Sequence, residues 1–309
     1  MYRRILRPAL LLALLAAVLW GGLPFAPRAL AHDSVSDGQN AYIADELNLK
    51  LANAADINSI AQQYGLTLVE QFGQRPIFLL RTPSDSKALG AKILAENPAR
   101  VQFAEANYTS GAPEGSGNSW QVGNSWQVGN SWQVGNSWQV GQTSGQTLYR
   151  TQWAREKIHL TDAHRVTKGA GTIVAVLDTG VDRRHPALAG RLLRGRDFVD
   201  DDDDPSEVLP TCPAGTPNDD PRKCGPYGHG THVAGLIALA APEARIMPLR
   251  VLDAQGVGNM WVLAEALRYA LDPDGDPSTD DGADVINMSL ATVHDSGFLK
   301  EILGDVCDT

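Results

Sequence analysis

The sequence predicts an α/β fold in which a parallel sheet with flanking helices follows a small α+β unit. From Leu148 onward, strand-like and helix-like segments alternate, which is typical of a parallel sheet covered by helices. Residues 173–177 are an uninterrupted apolar run, as expected for a strand that is buried on both faces. Between residues 42 and 108, short helix-like and strand-like segments are mixed. A chain of 309 residues, 43% of them hydrophobic, is long enough to bury a core in each unit.

Residues 1–31 have the order of a secretory signal peptide. Three arginines within the first seven residues precede an apolar run over about residues 9–20, and an Ala-Leu-Ala motif ends at Ala31. The alternative is an uncleaved membrane anchor, but the run is shorter than the ~20 residues that span a bilayer. We therefore expect removal after Ala31, a secreted or otherwise extracytoplasmic product, and no membrane partner after that removal.

Residues 38–108 are predicted to form the α+β unit. A helix over residues 57–64 is expected to end at Gly65, because glycine readily takes the left-handed conformation that caps a helix. The other expected elements are strands over residues 66–69, 76–81 and 101–105 and a helix over residues 86–96.

Residues 109–147 are predicted to be a linker. Between Gly117 and Val140 the hexapeptide Gly-Asn-Ser-Trp-Gln-Val occurs four times in register. Six residues are too few for one unit of the usual helical solenoids, and the flanking Gly and Ser residues favour a linker. The four tryptophans would also suit ligand stacking, but aromatic spacing alone is a weak signal.

Charge and cysteine content exclude some classes of protein. The formal net charge of −10 would repel nucleic acid, so no nucleic-acid partner is expected. Outside the cytoplasm, Cys212 and Cys224 could form a disulfide, whereas Cys307 has no evident partner in the sequence. The chain has no CxxC spacing, which argues against a cysteine metal site.

Asp178 directly follows the predicted buried strand, in the segment Asp-Thr-Gly. Active sites of open α/β sheets lie beyond the carboxyl ends of the strands, so an acid at this point is well placed to act. Asp-Thr-Gly also occurs in aspartic proteases, but those enzymes need two such carboxylates and this chain has one copy. A turn or helix cap is the purely structural alternative for Asp178.

His229 lies among small residues close to the start of an apolar helix predicted over residues 233–241. A histidine in such a place can act as a general base when an acid holds its imidazole, and Asp178 could be that acid. His229 and His232 could instead bind zinc, but no third ligand and no His-Glu-x-x-His pattern is evident.

The motifs VLDTGVD at residues 176–182 and HGTHVAG at residues 229–235 resemble the Asp and His signatures of the subtilisin-like serine proteases, the subtilases or peptidase S8 family. The resemblance implies a partial subtilisin-like parallel sheet in residues 148–309 and an inhibitory propeptide in residues 38–108. It also implies that Asp178 orients the base and His229 takes the proton of a serine. Polypeptide substrates and the chain's own propeptide are then the expected partners, and no cofactor is required for the chemistry.

Two further segments resemble the strands between which subtilases hold an extended substrate. They are Gly256, Val257 and Gly258 on one side and Ser289, Leu290 and Ala291 on the other. Backbone pairing on both sides of a peptide is β-augmentation, which tolerates many substrate sequences. The family usually has glycine where Ala291 stands, and the structural alternative is that both segments are surface loops.

The family's nucleophile lies in a Gly-Thr-Ser-x-Ala segment, which does not occur in this chain. Ser278, Ser289 and Ser296 are the serines that follow His229, and none has such surroundings. We therefore expect the chain by itself to be inactive. A catalytically inactive binding or inhibitory protein and a secreted calcium-binding protein are the alternatives to a protease precursor.

Clustered carboxylates suggest structural calcium, because hard cations prefer oxygen ligands. Candidate donors lie in the acidic run 200–204, with Asp197 and Glu207 nearby, and in the alternating series Asp272, Asp274, Asp276 and Asp280. A solvated acidic loop is the alternative in both places, so the sequence leaves any metal site unassigned.

Overall fold

The computed structural model describes residues 34–36, 41–112, 153–211, 226–292 and 294–308. The predicted signal peptide, the four hexapeptide repeats, Cys212, Cys224 and the side chain of Cys307 lie outside the described part. In the described part, no helix has the length and apolar character needed to cross a membrane.

The first unit is an antiparallel sheet with two helices. Its strands are β1 (Ser34–Ser36), β2 (Ala41–Leu51), β3 (Thr67–Gln71), β4 (Ile77–Arg81) and β5 (Val101–Gly111), and its helices are α1 (Ile57–Tyr64) and α2 (Ser86–Glu96). The strands lie in the order β3-β4-β2-β5, and β1 pairs with β2. Both helices have the predicted bounds, because local residues define their ends. Gly65 closes α1 with a φ of 68°, and the Asp85 carboxylate begins α2 by accepting from the Ala88 N–H at 2.9 Å.

The second unit is a parallel sheet with helices packed against it. Its strands are β6 (Ile173–Asp178), β7 (Arg196–Asp197), β8 (Arg245–Arg250) and β10 (Val285–Met288), in the order β10-β6-β8-β7, while β9 (Val257–Asn259) lies outside that sheet. Its helices are α3 (Trp153–Lys157), α4 (Leu160–Val166), α5 (His229–Ala240), α6 (Met260–Leu271) and α7 (Gly297–Asp308). All three pairings in this sheet are parallel, and β6 is buried from Val174 to Asp178. The predicted α/β class is confirmed.

One apolar core joins the two units. The Phe298 ring of α7 lies 5.8 Å from the Phe72 ring and 5.6 Å from the Trp261 ring, measured between centroids. Phe72 belongs to the first unit and Trp261 to α6, and all three side chains are buried. The two units therefore bury apolar surface against each other, which is the dominant favourable contribution to their association.

Polar groups of β5 also hold the start of α7. Glu105 accepts hydrogen bonds from the N–H of Gly297 at 3.0 Å, from the N–H of Phe298 at 3.3 Å and from the hydroxyl of Ser296. The first N–H groups of a helix have no partner inside the helix, and a negative charge is favourable at that end. A carboxylate of the first unit thus caps a helix of the second.

Candidate active site

Asp178 and His229 meet at the carboxyl end of β6. Asp178 is the last residue of β6, His229 is the first residue of α5, and the distance from His229 Nδ1 to Asp178 Oδ1 is 2.7 Å. The exposed fraction is 1% for Asp178 and 5% for His229. Both side chains are therefore buried, and the low dielectric constant of the interior strengthens the hydrogen bond between them. The Asp178 oxygen also accepts from the N–H of Thr179 at 2.7 Å. A buried carboxylate bonded to Nδ1 sets the tautomer of the imidazole and stabilises its protonated form.

Helix α5 starts at His229, four residues before the predicted helix. Its first N–H groups have partners from other segments: His229 N–H donates to the Pro226 carbonyl at 2.9 Å, and Gly230 N–H donates to Thr179 Oγ1 at 3.1 Å. A Cβ at Gly230 would lie 2.1 Å from the carbonyl oxygen of Gly180. Glycine therefore allows the helix to approach the turn that carries Asp178 closely enough for the pair to form.

His232 lies one turn behind His229. Burial lowers the pKa of His232, and the neighbouring His229 lowers it further. The only group of possible metal ligands among the described residues contains neither histidine. His229 bonds to an acid instead, which is the arrangement expected of a general base.

The two predicted substrate segments lie on either side of the end of β5. Strand β9 pairs antiparallel with β5, so that Ser110 faces Gly258 and Gly111 faces Val257, and the Ala112 N–H donates to the Gly256 carbonyl at 2.8 Å. An extended segment of the first unit thus pairs with the first side of the predicted substrate cleft.

On the other side, Gly111 forms two backbone hydrogen bonds with Ala291. Gly111 N–H donates to the Ala291 carbonyl at 2.9 Å, and Ala291 N–H donates to the Gly111 carbonyl at 3.0 Å. In the part of the chain that is described, Ser289 and Leu290 lead into Ala291 without a backbone hydrogen bond to β5. Alanine in place of the family's usual glycine is compatible with this pairing.

Strand β5 ends at Gly111, three residues into the segment assigned to the linker. The prediction of a strand over residues 101–105 was too short, because the last part of β5 is stabilised by β9 and Ala291, which are distant in sequence. The local sequence pattern of a strand does not indicate which distant segments pair with it.

The three serines that follow His229 have other partners. Ser278 donates to Asp276 at 2.7 Å, Ser289 donates to Asn287 at 3.0 Å, and Ser296 donates to Glu105. The structure therefore offers no reason to assign any of them as the nucleophile.

The acidic run 200–204 is largely paired with arginines. Arg250, which is buried, donates to Asp197 at 2.5 Å and to Asp200 at 2.6 Å. Asp201 pairs with Arg196 and Asp203 with Arg194. Arginine ion pairs thus offset the charge of Asp200, Asp201 and Asp203.

The second acidic series brings different residues together. Asp272, Asp274 and Asp281 can place one carboxylate oxygen each within 4.8 Å of the others, whereas the predicted Asp276 and Asp280 are not in this group. Asp272 Oδ1 is fully buried and has no hydrogen-bond partner among the described residues. Such an orphaned oxygen fits the ligand set of a hard cation.

The sequence suggested Glu207 only as a calcium donor, whereas the structure places its side chain at the start of the helix that carries His229. Its carboxylate accepts from the N–H of Gly228, from the N–H of Thr231 at 2.9 Å and from the hydroxyl of Thr231 at 2.7 Å. No sequence pattern signals this contact, because 21 positions separate Glu207 from Gly228.

Comparison with known proteins assigns two parts of the chain to known families. The subtilase family, peptidase S8, matches residues 169–307, and the fervidolysin N-terminal prodomain matches residues 29–107. The chain is 30% identical over 280 residues to the thermophilic serine proteinase of Bacillus sp. strain AK1, covering 85% of this chain and 56% of that protein. It is 35% identical over 162 residues to thermitase of Thermoactinomyces vulgaris, covering 49% of each. The chain thus spans about half the length of these two relatives.

A solved structure shares the fold. Fervidolysin from Fervidobacterium pennivorans, described as a keratinolytic enzyme related to subtilisin, superposes with a TM-score of 0.56 at 19% identity, covering 89% of this chain and 39% of that one. At this identity the likeness shows the fold alone. Taken with the sequence matches, it shows that the chain carries a subtilase-family domain of the peptidase S8 type, preceded by a fervidolysin-type N-terminal prodomain.

Proposed function

We propose that this chain is the Asp- and His-bearing part of a secreted serine endopeptidase precursor, and that residues 38–108 act as its inhibitory propeptide. The observation that carries the proposal is the buried 2.7 Å contact between His229 and Asp178. The subtilase match over residues 169–307 supports the reaction class, and the order of residues 1–31 supports secretion.

In this mechanism Asp178 accepts a hydrogen bond from the Nδ1–H of His229, so the proton stays on Nδ1 and the other ring nitrogen is free of one. That nitrogen takes the hydroxyl proton of a serine as the serine oxygen attacks the peptide carbonyl, and the imidazolium then returns the proton to the leaving amine. Burial of Asp178 keeps its charge close to the imidazolium and away from water. A serine and oxyanion donors are needed to complete this site, and the Gly-Thr-Ser-x-Ala segment of the family does not occur in residues 1–309.

The end of β5 acts in this proposal as a bound peptide. Backbone hydrogen bonds to Gly256, Val257 and Ala291 would hold a substrate in the same extended form, with few demands on its sequence. A propeptide in that position excludes substrates until it is cut. The cut is expected in residues 109–147, beyond the part of β5 that the cleft holds.

Gly111→Pro tests whether the cleft holds this segment. Proline has no N–H, so the hydrogen bond to the Ala291 carbonyl is lost, and we expect hydrogen exchange at the Ala291 amide to become at least about tenfold faster. Mass-spectrometric hydrogen exchange of the intact chain measures this change. Gly111→Ala is the matched control, because it keeps the N–H; its Cβ would lie 3.3 Å from the Gly256 carbonyl oxygen, a tight contact that needs a shift of only a few tenths of an ångström. Equal exchange in the two variants would contradict the proposed occupancy.

A catalytically inactive binding or inhibitory protein is the second candidate. It is favoured by the other partners that Ser278, Ser289 and Ser296 already have. Sequencing the gene beyond codon 309 separates the two. An in-frame Gly-Thr-Ser-x-Ala segment supports the protease, and a stop codon at that point supports the inactive protein.

Structural calcium remains a prediction, with Asp272, Asp274 and Asp281 as the donors that the fold favours. We expect calcium at about 100 times its Kd to raise Tm by roughly 5 °C, because binding to the folded state stabilises it. Asp272→Asn should remove most of that increase, while Asp276→Asn in the same loop should keep it. A thermal melt with and without calcium measures both, and an unchanged Tm in the native chain would exclude the site.

A further inference from the structure

Glu207 links the two segments that carry Asp178 and His229. Its side chain binds the start of α5, where it accepts from the N–H of Gly228 and from the N–H and hydroxyl of Thr231. With the bonds from His229 to Pro226 and from Gly230 to Thr179, the first N–H groups of the helix all have partners. Two of those groups depend on Glu207 alone.

The backbone around Glu207 binds the other segment. Val181, three residues after Asp178, donates its N–H to the Pro205 carbonyl at 2.9 Å and accepts from the Glu207 N–H at 3.4 Å. Gly180 is packed tightly here, since a Cβ would lie 2.8 Å from the Pro205 carbonyl oxygen. Residues 205–207 therefore lie against the Asp178 turn.

Thr231 completes the connection. Its hydroxyl donates to Glu207 at 2.7 Å and accepts from the N–H of Asp182 at 2.7 Å. One side chain thus ties the carboxylate of Glu207, the helix of His229 and the segment of Asp178 into a single hydrogen-bonded unit. Such networks restrict the relative movement of the groups they join.

We propose that Glu207 is a positioning residue that sets the contact between Asp178 and His229. The inference rests on the proposed function, since it assigns Glu207 to the pair that would activate the serine. Glu207 acts through the start of α5 and through Thr231, from which its carboxylate accepts hydrogen bonds. A carboxylate suits the role, because it can accept three hydrogen bonds and its charge is favourable at a helix N-terminus.

The charge of Glu207 sets the conditions of the test. Burial raises the pKa of Glu207 to about 7, and the nearby charge of Asp178 contributes in the same direction. The hydrogen bonds from Thr231 and Gly228 act in the opposite direction and lower the pKa. The experiment is therefore done at about pH 8, where the carboxylate is mostly ionised.

The test is proton NMR of the chain labelled with ¹⁵N-histidine, which reads the Nδ1 proton between His229 and Asp178 directly. We expect a resolved low-field resonance in the native chain and its loss in Asp178→Asn. In Glu207→Ala, exchange of that proton with water should be at least about tenfold faster, since bonds to a charged group are removed. Glu207→Gln keeps one oxygen acceptor, so its exchange rate should lie between those of the native chain and Glu207→Ala. Thr231→Val removes the hydroxyl and should also make exchange faster.

Glu243→Gln is the matched control, because Glu243 forms an exposed ion pair with Lys168 at 3.6 Å, and it should leave the resonance unchanged. Circular dichroism establishes that each variant is folded at the temperature of the measurement. If Glu207→Ala does not fold, Glu207→Gln and Thr231→Val decide the question. Folded variants with native exchange would overturn the role of Glu207. Persistence of the resonance in Asp178→Asn would instead overturn the Asp178–His229 pair on which the proposed function rests.

Discussion

Replacing His229 by alanine is expected to reduce kcat/KM for peptide hydrolysis by roughly 10⁴-fold or more, the usual loss when the base of a serine protease triad is removed. The experiment needs a version of the chain that carries the serine-bearing segment. Without His229, nothing takes the serine proton, and Asp178 cannot do so in its place because it lies behind the imidazole. Hydrolysis of a chromogenic peptide, with the propeptide cleaved, measures the loss.

His164→Ala is the matched control for that variant. The His164 ring is partly buried and contacts the Ala240 carbonyl at 2.9 Å, at the opposite end of α5 from His229, so its removal should leave turnover close to native. Far-UV circular dichroism shows whether each variant keeps its fold. Native turnover in a folded His229→Ala protein would remove His229 from the mechanism.

Replacing Phe298 by alanine is expected to lower the free energy of unfolding by about 3–5 kcal/mol, because it leaves a cavity among aromatic side chains. Phe298 has an exposed fraction of 0% and contacts Phe72, Phe103 and Trp261. The loss therefore affects the core that the two units share, and the propeptide and the subtilase domain should unfold less cooperatively. Urea denaturation, followed by tryptophan fluorescence and by circular dichroism, measures both effects.

Leu236→Ala supplies the comparison for Phe298→Ala. Leu236 also lies in a helix but has an exposed fraction of 39%, so its truncation should cost less than about 1 kcal/mol. A similar small cost for Phe298→Ala would show that the aromatic cluster does not join the two units in solution.

Elements with local signals could be predicted closely. Helix α1 ends where Gly65 takes a positive φ, and α2 begins where Asp85 caps it, so both bounds follow from residues within one turn. Strand β6 could be predicted from its continuous apolar run, which is typical of a strand that is buried on both faces. The Asp178 and His229 motifs were recognisable for a related reason, since each is a short run of small residues around one reactive side chain.

Contacts between distant segments could not be predicted in this way. The start of α5 at His229 depends on Glu207 and Thr179, and the end of β5 depends on β9 and Ala291. The acidic run 200–204 was a candidate calcium site in the sequence, but Arg194, Arg196 and Arg250 pair with most of it in the fold. A charge pattern in sequence does not indicate which opposite charges the fold brings beside it.

The amino-acid sequence by itself determined the α/β class, the small α+β unit before it, and the two residue types that would form the reactive pair, because each of these depends on periodicity or on a short motif. The tertiary structure alone decided that Asp178 and His229 meet at 2.7 Å, that β5 lies between Val257 and Ala291, and that Glu207 holds the helix of His229. The physical reason is that these hydrogen bonds join groups 21 to 180 positions apart, which only the folding of the second unit and its packing against the first bring within reach.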